Sequence, residues 1–254
     1  MNGTENLDIM LKTLRLPTFK REKGNFARKA ENEGWSFEYY LKALAELETA
    51  ERHERRIQRL LKQSSLPACK NLETLDQKQL PTKVRRQIPV LLDGGFVERA
   101  ENVLAFGLPG RGKTHLLAAI ARELLVDKGY RVLFTSTHRL VERLLLAKRE
   151  LGIEKVLKKL DRFDVVLLDD LGYVQQSREE MEVLFTFLAE RYERRSLMIT
   201  SNLVFKEWDR IFKDPMTTAA AIDRLVHHCT ILELNNESYR AKEAKENMLK
   251  RKEG

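Results

Sequence analysis

The chain has 254 residues, enough for one large α/β domain and a smaller appendage. Its 43% hydrophobic and 33% charged residues suit a well-solvated globular protein, no apolar run approaches the length of a membrane span, and the polar start Met1–Asn6 lacks a signal peptide's hydrophobic core, so a cytoplasmic, non-membrane protein is expected. A net charge of +8 favours an anionic macromolecular partner, nucleic acid being the commonest, and Cys69 and Cys229, far apart and outside any metal-spaced cluster, read as reduced thiols.

Leu7, Met10, Leu11 and Leu14 recur at helical spacing, and Pro17 ends that pattern. A second helical stretch covers roughly 19–33, with Gly34 as its stop. Ser36 stands where an N-cap should, Trp35 before it can staple onto Tyr40, and Phe37, Tyr40, Leu41, Leu44 and Leu47 mark one apolar face. The same helix continues to about Lys62. Within it Arg52, Arg55, Arg56 and Arg59 fall at i, i+3, i+4 and i+7 and form one basic stripe, while Ile57, Leu60 and Leu61 pack inward. Two readings of the stripe stay open: a solvated face next to Glu51 and Glu54, or a row of phosphate contacts along duplex DNA. Leu66-Pro67 and Pro81 bracket a loop-rich connection, a basic patch (Lys83, Arg85, Arg86) follows, and Gly94-Gly95 closes the next helix. The expected plan is an N-terminal helical, DNA-binding domain over 1–66, a connector over 67–96 and a nucleotide-binding domain over 97–254.

That last domain opens with a strand, Asn102–Phe106, feeding Gly107-Leu108-Pro109-Gly110-Arg111-Gly112-Lys113-Thr114, of the form G-x-x-x-x-G-K-T, and then a helix from His115. Glycines there let backbone N–H groups turn inward around phosphates. Lys113 supplies a cation for the outer phosphates, the Thr114 hydroxyl is placed to ligate Mg²⁺, and the helix dipole points at the same anion. With strand and helix on either side, the motif points to a nucleoside triphosphate. Tyr130–Thr135 reads as strand two, 138–160 as helix interrupted near Gly152, and Phe163–Asp170 as a strand whose four consecutive apolar residues suit a parallel sheet. Asp169 and Asp170 end that strand, where open α/β sheets place their ligands. Asp169 would hold Mg²⁺ directly or through water, and Asp170 would orient or deprotonate the attacking water. A helix over 177–194 and a fourth strand, Ser196–Asn202, come next. Asn202 at the strand tip is read either as a hydrogen-bonder of the lytic water or γ-phosphate, or as a plain turn residue. Trp208 and Phe212 anchor a short helix, 219–225 is helical, and Cys229–Leu234 is strand five. His227-His228-Cys229 has no evident complementary ligands and reads as structural.

The phosphate loop, Asp169-Asp170-Leu171-Gly172, Arg191-Tyr192-Glu193, Thr200-Ser201-Asn202, Asp223-Arg224-Leu225 and Ser238-Tyr239-Arg240 together resemble the IstB family. These are the ATP-binding helper proteins of insertion sequences, AAA+ ATPases close to the DnaC helicase loaders. Leu14-Arg15-Leu16-Pro17 and the Glu-Arg-rich helix extend the resemblance over nearly the whole chain. It implies an α/β P-loop NTPase of AAA+ type, with a parallel five-stranded sheet flanked by helices and a small all-helical DNA-binding domain; the short charged tail after Leu234 departs from the superfamily in leaving no room for a full C-terminal lid. It further implies ATP and Mg²⁺ as cofactors, homo-oligomers on duplex DNA, and an IstA-type transposase as partner. By that resemblance Gly107–Thr114 carry the Walker A roles, Asp169 and Asp170 the Walker B roles, and Asn202 is sensor one. Arg224 is the candidate arginine finger toward a neighbouring subunit, against a salt-bridge alternative, and Arg240 the candidate second sensor. A finger residue can be worth about 10³–10⁵ in rate. Many AAA+ proteins carry glutamate where this chain has the shorter Asp170, which implies that ATP acts more as an assembly clamp and timer than as motor fuel. The alternative within the fold is a helicase loader. A small-metabolite P-loop kinase and a nucleotide-gated scaffold without turnover are the readings from other classes.

Overall fold

The computed structural model describes residues 3–172, 177–203, 207–208 and 215–239, and the chain divides into two compact units, Met1–Arg59 and Leu60–Gly254. The first is helical: α1 (Gly3–Thr13), α2 (Pro17–Glu33) and most of α3 (Phe37–Ser64). Proline's fixed φ and missing N–H suit the first turn of a helix, so Pro17 begins α2 rather than merely ending α1, and Arg15 at φ 56° makes the corner between them. Gly34 closes α2 in the left-handed conformation at φ 64°, and the Ser36 hydroxyl accepts from Tyr39 N–H at 3.1 Å to cap α3.

Two local expectations fail in this unit. Trp35 packs edge-on against Tyr39 (4.6 Å), not on Tyr40, because the Tyr40 hydroxyl is drawn to the Lys23 carbonyl at 3.1 Å. Phe37 is 95% and Leu41 58% exposed although both share the apolar face of Leu44, which is buried. A unit this small has too little interior to cover every apolar side chain. Its buried charged residue is Glu48, which accepts from the N–H of the likewise buried Thr18 at 2.9 Å, from Arg52 at 2.7 Å and from Arg55 at 3.4 Å. Burial opposes its ionisation, but the bonds from Arg52 and Thr18 prevail and hold the carboxyl below its usual range.

The second unit is built on five parallel strands, β1 (Asn102–Phe106), β2 (Val132–Ser136), β3 (Val165–Leu171), β4 (Ser196–Ser201) and β5 (Cys229–Glu233), in the order β2-β3-β4-β1-β5. Helices α4 (Thr82–Asp93) and α5 (Gly95–Glu98) precede the sheet. Its crossovers are α6 (Lys113–Lys128), α7 (Thr137–Arg149) with α8 (Ile153–Leu160), α9 (Arg178–Arg191) and α10 (Pro215–Val226). Every residue of β1 is buried, as its central place requires, and Leu116–Ala121 of α6 are wholly so. Each of the larger side chains among them contributes about 1.5–3 kcal/mol by leaving water. Asn102 stitches the sheet's entry edge: its amide donates to the Leu225 carbonyl at 3.2 Å and accepts from Leu197 N–H at 2.9 Å.

Arg191 closes the same edge from beneath. Its buried guanidinium donates to the carbonyls of Leu160, Phe163, Asp164 and Ser196 at 3.0–3.3 Å. Burial pushes its pKa down to about 10, so it stays charged at neutral pH. The sheet begins two residues later at β2 than expected and runs to Leu171 at β3, where a register shift after Leu168 accommodates the aspartate pair. Among the described residues no helix is long and apolar enough to cross a membrane.

Candidate nucleotide-binding site

The loop after β1 owes its course to three glycines at positive φ: Gly107 (151°), Gly110 (81°) and Gly112 (88°). A Cβ on Gly107 would lie 2.3 Å from the Leu234 carbonyl oxygen, so the strand β5 exit leaves room for nothing larger. Gly112 is the N-cap of α6 and offers no side-chain acceptor, so the first amides of that helix are available to an anion. Lys113, only 6% exposed, folds back over the loop and donates to the carbonyls of Gly107 (2.6 Å) and Leu108 (3.1 Å). The loop thus holds a positive charge within a ring of backbone polar groups.

Opposite it, β3 delivers Asp169. One carboxylate oxygen accepts from Thr114 Oγ1 and from Thr200 Oγ1, each at 2.7 Å, and its backbone carbonyl accepts from the Thr137 hydroxyl at 3.1 Å. Asp170 takes a left-handed backbone at φ 58° and donates its N–H to the same Thr200 hydroxyl at 2.9 Å. The turn of sign is what puts two consecutive strand residues on one side of the sheet's end, where alternation would send them to opposite faces. Asn202, one residue beyond β4, lines the same cavity. Its buried Oδ1 has no hydrogen-bond partner among the described residues, as expected of an acceptor kept for a ligand or water.

The cavity measures about 500 Å³, within the usual range of about 300–1,000 Å³ for ligand sites. Pro109 to Thr114, Asp169, Asp170 and Asn202 form its polyanion end. Gly107 and Leu108 serve it through their carbonyls alone. The other wall was not foreseen: Lys70, Thr74, Leu75 and Asp76, from the stretch read as a connector, line it together with Tyr239. His115 ties that wall to α6, its Nε2 lying 3.1 Å from the Asn71 carbonyl and 3.0 Å from the Thr74 hydroxyl. Burial holds the imidazole below its ordinary pKa, which favours the neutral ring.

These residues fit a nucleoside triphosphate. An uncapped helix start, a buried ammonium and an orphaned acceptor converge on one cavity, and the Thr114 and Asp169 oxygens are the hard donors Mg²⁺ prefers.

The remaining candidates lie elsewhere. Arg224 is not brought to the cavity of its own chain; its guanidinium stacks on the Phe185 ring at 4.7 Å, with a buried Nη1 that has no hydrogen-bond partner among the described residues. Arg240 and Phe212 lie outside the described residues. Arg52, Arg55, Arg56 and Arg59 are all exposed on α3, in the first unit. Arg52 and Arg55 are engaged with Glu48, and Arg52 also donates to the Arg15 carbonyl. His227 and His228, read as having no complementary ligand, are approached by Glu193 to within 4.8 Å, a residue too distant in the chain for spacing to reveal; all three are exposed.

Comparison with known proteins agrees with this geometry. The family model described as IstB-like ATP binding protein matches residues 9–247. A Sinorhizobium fredii protein named for ATP binding in an insertion sequence is 48% identical over 241 residues, covering 94% of this chain and 80% of its own length. A Pseudomonas aeruginosa protein, named for ATP binding in insertion sequence IS21, is 37% identical, covering 93% of this chain and 89% of its own. Among solved structures, the DnaC helicase loader superposes with a TM-score of 0.53 at 24% identity, over 66% of this chain and 98% of that one, and so shares the fold. Lys113, Thr114, Asp169 and Asn202 thus sit around one cavity at the end of a parallel five-stranded sheet, and the chain belongs to the IstB-like ATP-binding protein family, as an ATPase of that family.

Proposed function

We propose that this chain is an ATP-dependent helper of DNA transposition, which binds duplex target DNA, assembles on it as a homo-oligomer when loaded with ATP, and recruits or activates an IstA-type transposase in the cytoplasm. The observation that carries the reading is the convergence of Lys113, Thr114, Asp169, Asp170 and Asn202 on one cavity, in a chain matched along 94% of its length by an insertion-sequence relative.

Mg²⁺-bound ATP supplies the phosphoanhydride to be cleaved and the metal charge that meets the outer phosphates. The chain's own residues do the rest. Lys113 exchanges the carbonyls of Gly107 and Leu108 for phosphate oxygens. Thr114 and Asp169 would hold the metal, with Thr200 keeping the Asp169 carboxylate in place. Asp170 accepts the proton of the attacking water, and the orphaned Asn202 acceptor orients that water by its other hydrogen. Arg224 acts on a neighbouring subunit's nucleotide, released from Phe185, and Arg240 contacts the chain's own. The shorter Asp170 makes ATP an assembly clamp and timer. DNA binding falls to the helical region over 1–66, joined by the 67–96 connector to the ATPase domain over 97–254.

The test is a duplex-DNA titration over a series of salt concentrations, with ATP or ADP, and light scattering for mass. Arg56 and Arg59 are the variants to make, because Arg52 and Arg55 also hold Glu48. Log affinity should fall linearly with log salt, and Arg56→Ala with Arg59→Ala should reduce the slope by about 1.8, roughly 0.9 for each lost phosphate contact. Mass should rise only with ATP and DNA together. A chain that stays monomeric and ignores duplex DNA, or that instead grips a replicative helicase, overturns the proposal.

A further inference from the structure

After β5 the chain runs back along the phosphate loop. Leu234 N–H donates to the Phe106 carbonyl at 2.8 Å, the Asn236 amide to the Arg111 carbonyl at 3.4 Å, and Tyr239 N–H to the Gly110 carbonyl at 3.0 Å. The Tyr239 ring then lies over Gly112, where an added Cβ would meet its Cε2 at 3.1 Å. Its hydroxyl donates to the Asp76 carbonyl at 2.8 Å, so the ring is fixed at both ends, by the loop and by the segment before α4.

The cavity has two chemically different ends. Lys113, Thr114 and the carboxylates mark where polyphosphate and metal go. On the other wall stand Lys70, Thr74, Leu75, Asp76 and Tyr239. The Asp76 carboxylate is turned away to cap a short 3₁₀ turn, accepting from Lys78 N–H at 3.1 Å and from Gln79 at 2.6 Å, so it presents its carbonyl, not its charge, to the tyrosine. The aromatic face beside Leu75 suits a planar base, whereas Lys70 on the same wall and Lys113 across the cavity are the groups that attract an anion.

We propose that Tyr239 is the wall against which the nucleoside of the bound triphosphate packs, and that it makes the site select a nucleoside triphosphate over a bare polyphosphate. This rests on the nucleotide reading of the same cavity. Stacking of a base on an aromatic ring is worth roughly a 5- to 150-fold change in affinity. The hydroxyl bond to Asp76 sets the ring's angle, so losing it costs less than losing the ring.

The experiment measures calorimetric affinities of the full-length chain for a non-hydrolysable ATP analogue and for inorganic tripolyphosphate, in wild type, Tyr239→Phe and Tyr239→Ala. Thermal unfolding confirms that each variant is folded. Tyr239→Ala should bind the analogue about 10- to 100-fold more weakly and tripolyphosphate within about twofold of wild type, with Tyr239→Phe between. Equal weakening of both ligands in a folded variant overturns the proposal, since the strap would then only organise the phosphate loop. Unchanged analogue binding in Tyr239→Ala overturns it as well, and if that variant is unfolded, unchanged binding in Tyr239→Phe does so. A wild-type chain that binds neither ligand is a distinct failure, that of the nucleotide reading itself.

Discussion

Thr200→Val is the most informative single change, because the valine keeps the shape and deletes one hydroxyl on which both aspartates depend. Thr200 is fully buried, donates to Asp169 at 2.7 Å and accepts from the Asp170 N–H at 2.9 Å. A hydrogen bond to a carboxylate contributes about 1.5–3 kcal/mol, and leaving an amide without its acceptor costs about 1–3 kcal/mol. The two losses share one atom and do not add fully, so about 2–4 kcal/mol is expected. In a unit of this size that lowers the melting temperature by roughly 5–15 °C. With the Asp169 carboxylate left to Thr114 alone and the Asp170 backbone unanchored, metal and water should also be held less well, with hydrolysis reduced about 10- to 100-fold, the usual cost of removing a group that orients a metal ligand. The assays are thermal unfolding of the nucleotide-free chain and steady-state hydrolysis with Mg²⁺, and Thr200→Ser should restore most of both. A valine variant that melts within about 1 °C of wild type and turns over normally would refute the reasoning from this hydroxyl.

Gly107→Ala places a methyl group 2.3 Å from the Leu234 carbonyl at a backbone angle side chains avoid. The backbone strain alone costs about 1–3 kcal/mol, so the urea midpoint should fall and nucleotide affinity should fall with it; a wild-type midpoint would contradict the close approach. Glu48 has a folded pKa below its unfolded value of 4.5, so the stability it contributes to the helical unit is complete above that value and is lost as pH falls through the lower folded one. Glu48→Gln should therefore lower stability at neutral pH and flatten the acid limb below pH 4.5, followed by far-UV ellipticity; an acid limb identical to wild type would remove Glu48 from the account.

Local chemistry in this chain was legible where one short segment contains its own reason. The phosphate loop announces its glycines, lysine and threonine in sequence, and the strand before it and the helix after it follow from apolar runs. Asp169 and Asp170 were legible as a pair at a strand end. That they face one way was not, because the sign of φ at Asp170 is set by the bulge after Leu168 against β4. Nothing in the sequence around Thr200 marks it beyond its place at a strand end; its bonds to both aspartates arise from pairing between β3 and β4, which no local pattern encodes. The wall formed by Thr74, Leu75 and Asp76 has the sequence of a connector, because a turn-rich composition says nothing about what the turns lie against. In the helical unit, periodicity correctly marked an apolar face on α3, but it could not say that Phe37 would stay in water while Leu44 is covered.

The order of the strands also bears on how the protein is made. β1, which carries the phosphate loop, is flanked by β4 and β5. Asn102 meets Leu197, 95 residues later in the chain, and then Leu225, 123 residues later. At ribosomal speeds of about 5–20 residues per second, β1 waits roughly 5–20 s in the nascent chain before its first neighbour exists. A truncated or half-translated polypeptide therefore carries the whole glycine-rich motif and still lacks the cradle, and only nearly finished molecules can compete for the cell's ATP.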